Sequence, residues 1–326
     1  MVKIAFVGAF AARLAEPVRS RLTAACEVIE GDEASILAEL ADVDVLVTMG
    51  FSDEMAKAAP RLRLVQVPGA GLDRIDRTAL RPETWLANAY GHETGIAEYV
   101  VGAMLALTRS FARLDGKLRC GEWDSQWAVG VPAPPLWPGL AGKTLGILGY
   151  GHIGQALARR ARAFDMEVCA IRQQVQEARP EELTFLGGPD QLEDLLQRSD
   201  YVAITVPLSV ATRNMIGERQ LRLMKSTAYL INVARAEVVD EAALYQSLVN
   251  HRIAGAALDV WYRYPTATGP TAPADHPFHQ LDNVLMTPHV SGWTEGMLDA
   301  RTKLIAGNID RVAREQPPLN LIGPTR

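Results

Sequence analysis

Short apolar strands alternate with helix-length segments along nearly the whole chain, and this alternation restricts the possible folds more than any other feature. Three such strands come first, at residues 4–7, 43–47 and 64–67. Six more follow at a regular spacing, at residues 144–148, 167–171, 201–206, 229–233, 253–258 and 284–286. Strands that alternate with helices pair in parallel, because each helix carries the chain back across the sheet. The sequence therefore predicts an α/β protein.

The length of 326 residues exceeds what one hydrophobic core usually organises, so we expect two domains. The six later strands suffice for a complete dinucleotide-binding sheet. The helical pattern over residues 294–314 follows the last of them and is expected to complete the first domain. We therefore predict two doubly wound, Rossmann-like or flavodoxin-like parallel-sheet domains. One comprises residues 1–97 and 290–326, and the other, residues 98–289, is inserted into it.

A glycine-rich loop directly follows the strand at residues 144–148 and opens an apolar-periodic helix. It consists of Gly149, Tyr150, Gly151, His152, Ile153 and Gly154. Glycines allow a tight turn and a close approach of the backbone, and a helix N-terminus attracts negative charge. The alternative is a purely structural glycine turn. In its context between a strand and a helix, the loop predicts the binding of a dinucleotide pyrophosphate.

The end of the next strand indicates which dinucleotide is bound. An acidic residue about 20 positions after the glycine loop would bind the 2′-hydroxyl of adenosine ribose. This chain has Arg172 there, followed by two glutamines. A guanidinium cannot accept those hydrogen bonds but can pair with a 2′-phosphate, so NADPH is favoured over NADH. The alternative is a solvated arginine beside a site that tolerates NAD.

Composition and charge argue against several other classes of protein. The net charge is −5 and the pI is about 5.8, which gives no basic surface for nucleic acid. The three cysteines, Cys26, Cys120 and Cys169, lie far apart and have no metal-ligand spacing. The apolar helical segment at residues 96–107 is too short to cross a bilayer. We expect a cytoplasmic protein that binds neither membrane, nucleic acid nor metal.

Four motifs in the same order resemble those of the D-isomer-specific 2-hydroxyacid dehydrogenases. They are the glycine loop and the segments at residues 232–240 (NVARAEVVD), 256–260 (AALDV) and 287–292 (TPHVSG). The resemblance extends over nearly the whole chain. It implies that the domain of residues 98–289 binds the cofactor and that the other binds the substrate.

The resemblance also implies roles for individual residues. Arg235 would bind the substrate, His289 would be the general acid/base, and Asp259 would contact the nicotinamide carboxamide. Gly69, Ala70 and Gly71 match the family's loop that binds the substrate carboxylate through backbone N–H groups. The cofactor cleft would be lined by His152, Ile153, Val206, Pro207, Thr212, Val233, Ala234, Arg235, Asp259, His289 and Gly292.

The chemistry agrees with these roles. Hydride attack on a 2-oxo acid builds negative charge on the carbonyl oxygen next to a carboxylate, and a permanently charged guanidinium suits both groups. The alkoxide then needs a proton, and histidine has a pKa close to working pH. The alternatives are a surface ion pair for Arg235 and a structural loop residue for His289.

The sequence departs from the family pattern at two positions, Tyr264 and Ala236, and from the formate dehydrogenases at His92. Tyr264 replaces the glutamate that normally partners the catalytic histidine, and a neutral tyrosine can orient His289 without stabilising its imidazolium form. We therefore predict a lower pKa for His289. Ala236 replaces a glycine beside Arg235. His92 replaces an asparagine of the formate dehydrogenases, so that it is expected to contact a larger substrate or to be an exposed histidine at a helix start.

Three functions follow as hypotheses. The first is reduction of a small 2-oxo acid, such as glyoxylate or hydroxypyruvate, to the D-2-hydroxy acid. The second is a formate-type dehydrogenase that needs no proton transfer, which several similar stretches support. The third is a nucleotide-sensing protein without turnover. The apolar helix after residue 97 and the tryptophan-bearing segment after it resemble the dimer contact of this family, so a homodimer is expected, unless the tryptophans pack within one subunit. The stretch at residues 266–273 is either a lid or a surface loop.

Overall fold

The computed structural model describes residues 1–175 and 179–323, and it divides the chain into two compact units. The first unit comprises Met1–Gly91 and the chain from Thr294 onward, and the second comprises His92–Trp293. The expected boundaries, 97/98 and 289/290, differ from these by a few residues. The expected first domain also includes residues 324–326, which lie outside the described residues.

The first unit contains a five-stranded parallel sheet. Its elements are β1 (Val2–Val7), α1 (Ala9–Arg19), β2 (Cys26–Gly31), β3 (Val45–Thr48), α2 (Asp53–Ala58), β4 (Leu64–Gln66) and β5 (Trp85–Ala87), followed at the end of the chain by a helix over Glu295–Ala313. The strand order β2-β1-β3-β4-β5 is that of flavodoxin-like sheets. Apolar side chains cover both faces, which is typical of a parallel sheet.

The second unit contains a seven-stranded parallel sheet. Its helices and strands are α3 (Glu93–Thr108), α4 (Phe111–Arg119), β6 (Thr144–Leu148), α5 (His152–Arg162), β7 (Glu167–Ile171), β8 (Phe185–Gly187), α6 (Leu192–Arg198), β9 (Tyr201–Ile204), α7 (Glu218–Leu223), β10 (Tyr229–Asn232), α8 (Glu241–Val249), β11 (Gly255–Leu258) and β12 (Val284–Met286). The helix over Glu295–Ala313 is α9. The order β8-β7-β6-β9-β10-β11-β12 is that of a Rossmann fold with one added edge strand. The predicted fold class is confirmed.

The topological switch of this second sheet lies between β6 and β9, where the direction of strand addition reverses. Ligands of open α/β sheets bind beyond the carboxyl ends of the strands at such a point. The glycine loop follows β6, and the segment that contains Val206 and Pro207 follows β9. Chain topology alone thus brings two of the predicted cofactor segments together.

The sequence pattern missed three strands and one helix break. β2 has two exposed side chains, Glu27 and Glu30, which interrupt its apolar pattern, and β5 and β8 have only three residues each, too few to stand out in the sequence. The expected single helix beyond residue 97 is two helices, because Ser110 adopts a left-handed backbone with φ 50° between α3 and α4. α3 packs against α5 through buried residues such as Val100, Met104 and Leu157.

Within the described part of the chain, no helix has both the length and the apolar character needed to span a membrane.

Candidate active site

The glycine loop makes a tight turn from β6 into α5. Gly149 has φ 107°, a left-handed conformation that favours glycine. A Cβ atom there would lie 2.9 Å from the backbone N of Val206, so the glycine also allows the two switch strands to approach. The Thr205 hydroxyl donates to the Gly149 carbonyl oxygen at 2.7 Å and stabilises the contact between the ends of the two strands.

The other two glycines have different roles. A Cβ at Gly154 would lie 2.5 Å from the Gly149 carbonyl oxygen, so this position holds α5 close against the turn. A Cβ at Gly151, by contrast, would meet no described atom within 4 Å. The backbone at Gly151 therefore faces open space in front of the α5 N-terminus, where N–H groups of the first turn have no intrahelical acceptor. This arrangement fits a dinucleotide pyrophosphate.

Tyr150, predicted as a cofactor residue, turns its side chain away from this open space. The side chain is 2 % exposed and packs in the core of the second unit. Its hydroxyl donates to Glu182 Oε1 at 2.6 Å. Burial raises the pKa of Tyr150, and the hydrogen bond from Tyr150 lowers the pKa of Glu182. The Tyr150 N–H donates to the Ile171 carbonyl oxygen at 3.0 Å, so both the backbone and the side chain of Tyr150 stabilise the loop.

Arg172 follows β7 and is half-buried. Its backbone N–H donates to the Gly187 carbonyl oxygen at 3.0 Å, which fixes the start of the arginine beside β8. Its charge acts on the Tyr150 hydroxyl, as does that of the exposed Arg159. Arg172 therefore lies at the carboxyl end of β7, the strand that pairs with β6.

The segment after β9 forms a compact turn. The Thr212 hydroxyl donates to the Pro207 carbonyl oxygen at 2.7 Å and accepts from the Ser209 N–H at 2.8 Å. This side chain thus determines the shape of the turn that carries Val206 and Pro207. Thr212 therefore orders the segment that follows β9 at the topological switch.

Arg235 lies in the loop after β10, and the buried side chain of Asn232 shapes that loop. Asn232 Nδ2 donates to the Arg235 carbonyl oxygen at 2.9 Å, and Asn232 Oδ1 accepts from the Ala234 N–H at 3.1 Å. Arg235 itself has an extended backbone and is half-buried. Ala236, which replaces the family's glycine, is 2 % exposed within the 3-10 turn Ala236–Val238.

Tyr264 and His289 form a hydrogen-bonded pair. The Tyr264 hydroxyl oxygen lies 2.7 Å from His289 Nδ1, and it also accepts from the Trp261 N–H at 3.4 Å. Tyr264 is 46 % exposed, but desolvation at its hydroxyl raises the pKa of Tyr264, while the Arg235 charge lowers it. The tyrosine therefore stays neutral near pH 7, and both predicted catalytic side chains act on its hydroxyl group.

Asp259 anchors the segment that carries His289. The side chain is fully buried, with 0 % exposure. Its Oδ1 accepts from the Thr287 hydroxyl at 2.6 Å and from the Val290 N–H at 2.9 Å, and its Oδ2 accepts from the Ser291 N–H at 2.8 Å. These bonds hold the chain on both sides of His289, whose φ of 57° is left-handed.

Gly292 and His92 meet near the two ends of the second unit. A Cβ at Gly292 would lie 3.3 Å from His92 Cβ and 3.3 Å from Ile96 Cγ1. Gly292 therefore lets the segment after His289 pack tightly against the start of α3. His92 is 9 % exposed, so it is not the exposed histidine that the sequence left open.

The predicted carboxylate-binding loop lies in the first unit, after β4. Among the described residues, no hydrogen bond uses the N–H groups of Gly69, Ala70 or Gly71 as donors. Asn88, which is 3 % exposed, donates from Nδ2 to the Ala70 carbonyl oxygen at 3.1 Å. An anion is a suitable acceptor for N–H groups of this kind.

Several residues that shape these loops carried no predicted role. Asn232 and Thr287 lie inside the motifs that the sequence identified, so the motifs were the available signal. Thr205, Asn88 and Tyr99 lie outside them, and nothing in their spacing indicated a hydrogen bond to a site loop. In the described ranges, no group of three or more His, Cys, Asp or Glu side chains could hold a metal ion.

Comparison with known proteins identifies the family. The model of the D-isomer specific 2-hydroxyacid dehydrogenase NAD binding domain matches residues 101–291. A glyoxylate reductase from Thermococcus kodakarensis is 37 % identical over 293 residues, which cover 88 % of this chain and 85 % of that protein. A glyoxylate reductase from Thermofilum pendens is 35 % identical over 318 residues, which cover 93 % and 90 %.

Solved structures agree with the sequence comparison. An NADPH-dependent glyoxylate/hydroxypyruvate reductase from Sinorhizobium meliloti, in complex with NADP and malonate, has a TM-score of 0.82 and 27 % identity and covers 100 % of this chain and 98 % of its own. A 2-hydroxyacid dehydrogenase from Ketogulonicigenium vulgare has a TM-score of 0.82 and 28 % identity, with 100 % of both chains covered. The chain belongs to the D-isomer-specific 2-hydroxyacid dehydrogenase family and is an NAD(P)-dependent oxidoreductase.

Proposed function

We propose that this chain reduces a small 2-oxo acid, glyoxylate, hydroxypyruvate or a close analogue, to the D-2-hydroxy acid. The observation that carries the proposal is the 2.7 Å hydrogen bond between the Tyr264 hydroxyl and His289 Nδ1, since it orients a titratable ring, and the charge of Arg235 lowers the pKa of the same tyrosine. The glyoxylate reductase relatives support the substrate class.

Each residue then has a defined task. Arg235 binds the substrate carboxylate and the carbonyl oxygen, and its fixed charge stabilises the negative charge that develops there. When bound, the reduced nicotinamide supplies a hydride to the carbonyl carbon. His289, whose ring is oriented by the bond at Nδ1, transfers a proton to the new alkoxide. The N–H groups of Gly69, Ala70 and Gly71 contribute to binding the substrate carboxylate.

We propose NADPH as the preferred cofactor. The support is the positive charge of Arg172 at the end of β7 together with the two glutamines that follow it, because a 2′-phosphate needs a cation there and a 2′-hydroxyl an acceptor. The solved relative bound to NADP is consistent with this preference.

We also propose a homodimer that uses α4 and the segment after it. Trp123 and Trp127 are 61 % and 77 % exposed, so these two tryptophans do not pack within one subunit. Trp137 is half-buried, with the Arg113 guanidinium 5.6 Å from its ring centroid. Exposed aromatic side chains of this size favour a protein interface.

The first test is turnover of purified protein with NADPH and NADH against a panel of 2-oxo acids, with formate and the oxidised cofactors as a separate arm. His289→Ala is expected to lower kcat by about 100-fold to 10,000-fold, and Arg235→Ala to abolish measurable turnover. His279→Ala and Arg219→Ala, which remove an exposed histidine and an exposed arginine of the same unit, should leave turnover unchanged.

Other outcomes would overturn the proposal. Oxidation of formate without turnover of any 2-oxo acid would identify a formate-type dehydrogenase. Tight cofactor binding without turnover in either arm would identify a nucleotide-sensing protein. Full activity of His289→Ala with a 2-oxo acid would retain the substrate class and remove the assigned proton donor.

A further inference from the structure

We propose that Tyr99, on α3, is a positioning residue for His289 and acts through Thr287 and Asp259. This inference rests on the proposed role of His289 as proton donor. It assigns a task to a side chain outside the motifs by which the family is identified. The juxtaposition that carries it is a chain of hydroxyl groups from α3 to the buried carboxylate of Asp259.

The direction of this chain follows from its chemistry. The Tyr99 and Thr287 hydroxyl oxygens lie 2.6 Å apart. The Thr287 hydroxyl donates its proton to Asp259 Oδ1 at 2.6 Å. A hydroxyl has one proton, so Thr287 must accept from Tyr99. Burial raises the pKa of Tyr99 to about 12, which keeps it protonated and able to donate.

The chain ends on the carboxylate that holds the His289 segment. Thr287 precedes His289 by two residues, and the Val290 and Ser291 N–H groups that follow it also donate to Asp259. The Thr287 carbonyl oxygen accepts from the Trp261 indole at 2.8 Å, so the residue is fixed by its backbone and by its side chain. His289 keeps its left-handed backbone because both neighbouring segments are held.

The Tyr99 hydroxyl joins the Thr287 side chain, and through it the Asp259 carboxylate, to α3 by a hydrogen bond. Without its hydroxyl, the Thr287 side chain loses its donor, and its rotamer is no longer determined by a bond to the helix. The Thr287 side chain can then adopt rotamers in which it does not donate to Asp259 Oδ1. We expect kcat to fall because His289 is less well positioned. Cofactor affinity should change little, because the glycine loop is untouched and the Val290 and Ser291 N–H groups still hold Asp259.

The chain offers a matched control on the same helix. The buried Tyr201 hydroxyl lies 2.7 Å from the Thr108 hydroxyl of α3, a second tyrosine–threonine pair with no bond to the His289 segment. Tyr201→Phe removes a buried tyrosine–threonine hydrogen bond of the same kind. It should leave kcat and the pH profile as in the wild type.

The experiment compares Tyr99→Phe, Thr287→Val and the double variant with Tyr201→Phe, in steady-state reduction of the best 2-oxo acid across pH. Tyr99→Phe is expected to lower kcat about 5-fold to 20-fold, to leave KM for the cofactor within about 2-fold, and to shift the pH at which kcat/KM falls. In the Thr287→Val background, Tyr99→Phe should cause no further loss of kcat, because the hydroxyl that accepts from Tyr99 is already absent. Thr287→Ser, which keeps the hydroxyl, should restore most of the activity.

Two results would overturn the inference. One is wild-type kinetics in Tyr99→Phe, and the other is a double variant whose losses simply multiply. If Tyr99→Phe does not fold, the comparison of Thr287→Val with Thr287→Ser still decides whether the Thr287 hydroxyl matters. Failure of the proposed function is recognised separately, since it would appear as full activity of His289→Ala.

Discussion

Tyr264 occupies the place of a carboxylate and meets His289 with a neutral hydroxyl group. A glutamate there would stabilise the imidazolium form by its charge, whereas a hydroxyl can donate to the neutral ring or accept from the charged one. We therefore predict that Tyr264→Glu raises the pKa of His289. Reduction needs protonated His289, so the fall of kcat/KM with rising pH should move up by about 1 pH unit or more.

The measurement is the pH profile of kcat/KM for reduction, wild type against Tyr264→Glu. Tyr264→Phe is the control, because it removes the 2.7 Å bond to Nδ1 without adding charge. It should lower kcat several-fold through loss of ring orientation and should not reproduce the upward shift. Superimposable profiles of the wild type and Tyr264→Glu would contradict the prediction.

Arg172 is predicted to select the cofactor. A charge-assisted pair with a 2′-phosphate contributes about 1.5–3 kcal/mol, so Arg172→Ala should raise KM for NADPH by about 10-fold to 100-fold and leave KM for NADH nearly unchanged. Arg159→Ala is the matched control, since this exposed arginine also acts on the Tyr150 hydroxyl. Equal losses with both cofactors in Arg172→Ala would indicate a general effect on the fold.

The residues that carry charge were predictable from the sequence, because Arg235 and His289 stand in motifs next to apolar strands. The hydrogen bonds that shape the neighbouring loops were harder to predict. The bond of Asn88 to the Ala70 carbonyl oxygen and that of Tyr99 to Thr287 join segments far apart in sequence. Such bonds depend on where the fold brings two hydroxyl or amide groups together, and no local spacing encodes that.

At the scale of elements, two glycines in the turn from β6 into α5 have different predicted roles. One allows close packing of the fold, and the other leaves room for the cofactor. Gly154→Ala places a methyl group 2.5 Å from a backbone oxygen and should destabilise the second unit by about 1–3 kcal/mol. Gly151→Ala meets no described atom, so its unfolding temperature should stay that of the wild type. Its KM for the cofactor should nevertheless rise about 10-fold or more, because the methyl group occupies the approach to the α5 N-terminus.

Thermal unfolding and cofactor titration of both variants measure these two effects. Gly307→Ala, inside α9 with no described atom within 4 Å of the added Cβ, is the control for the substitution itself. It should stabilise the helix by about 0.5–1 kcal/mol. Unchanged cofactor affinity in Gly151→Ala would argue against pyrophosphate binding at this turn.

The elements that the sequence predicted well are those with continuous apolar runs. β6, β7 and β12 have the predicted bounds, and the C-terminal helix agrees to within a residue at each end. β2 was not predicted because the exposed Glu27 and Glu30 interrupt its apolar pattern, and β5 and β8 were missed as edge strands of only three residues. The break between α3 and α4 at Ser110 was also not predicted, since the apolar pattern does not indicate that a serine adopts a left-handed conformation.

At the scale of the whole molecule, apolar surface is concentrated in one part of the second unit. The exposed apolar side chains of α4 and the following segment are Phe111, Leu118, Trp123, Trp127, Val129, Val131 and Leu136. This segment is not loose, because Asp124 accepts hydrogen bonds from both Arg113 and Lys117 of α4. An ordered surface of this kind is costly in water and favours burial against a second copy of the chain.

We therefore predict that the wild type is a dimer by light scattering during gel filtration at micromolar concentration. Trp127 and Leu136 are 77 % and 98 % exposed, so their side chains make few packing contacts within one subunit. Combining Trp127→Ser with Leu136→Ser should therefore weaken the dimer without lowering the stability of the fold. Val249→Ser, at a 42 % exposed position of α8, controls for loss of surface apolarity and should stay dimeric. A monomeric wild type, or a double variant as dimeric as Val249→Ser, would show that this surface does not pair two copies. The same double variant also tests whether catalysis depends on assembly, because neither residue belongs to the proposed site. A monomer with full kcat would show that one chain carries out all of the chemistry.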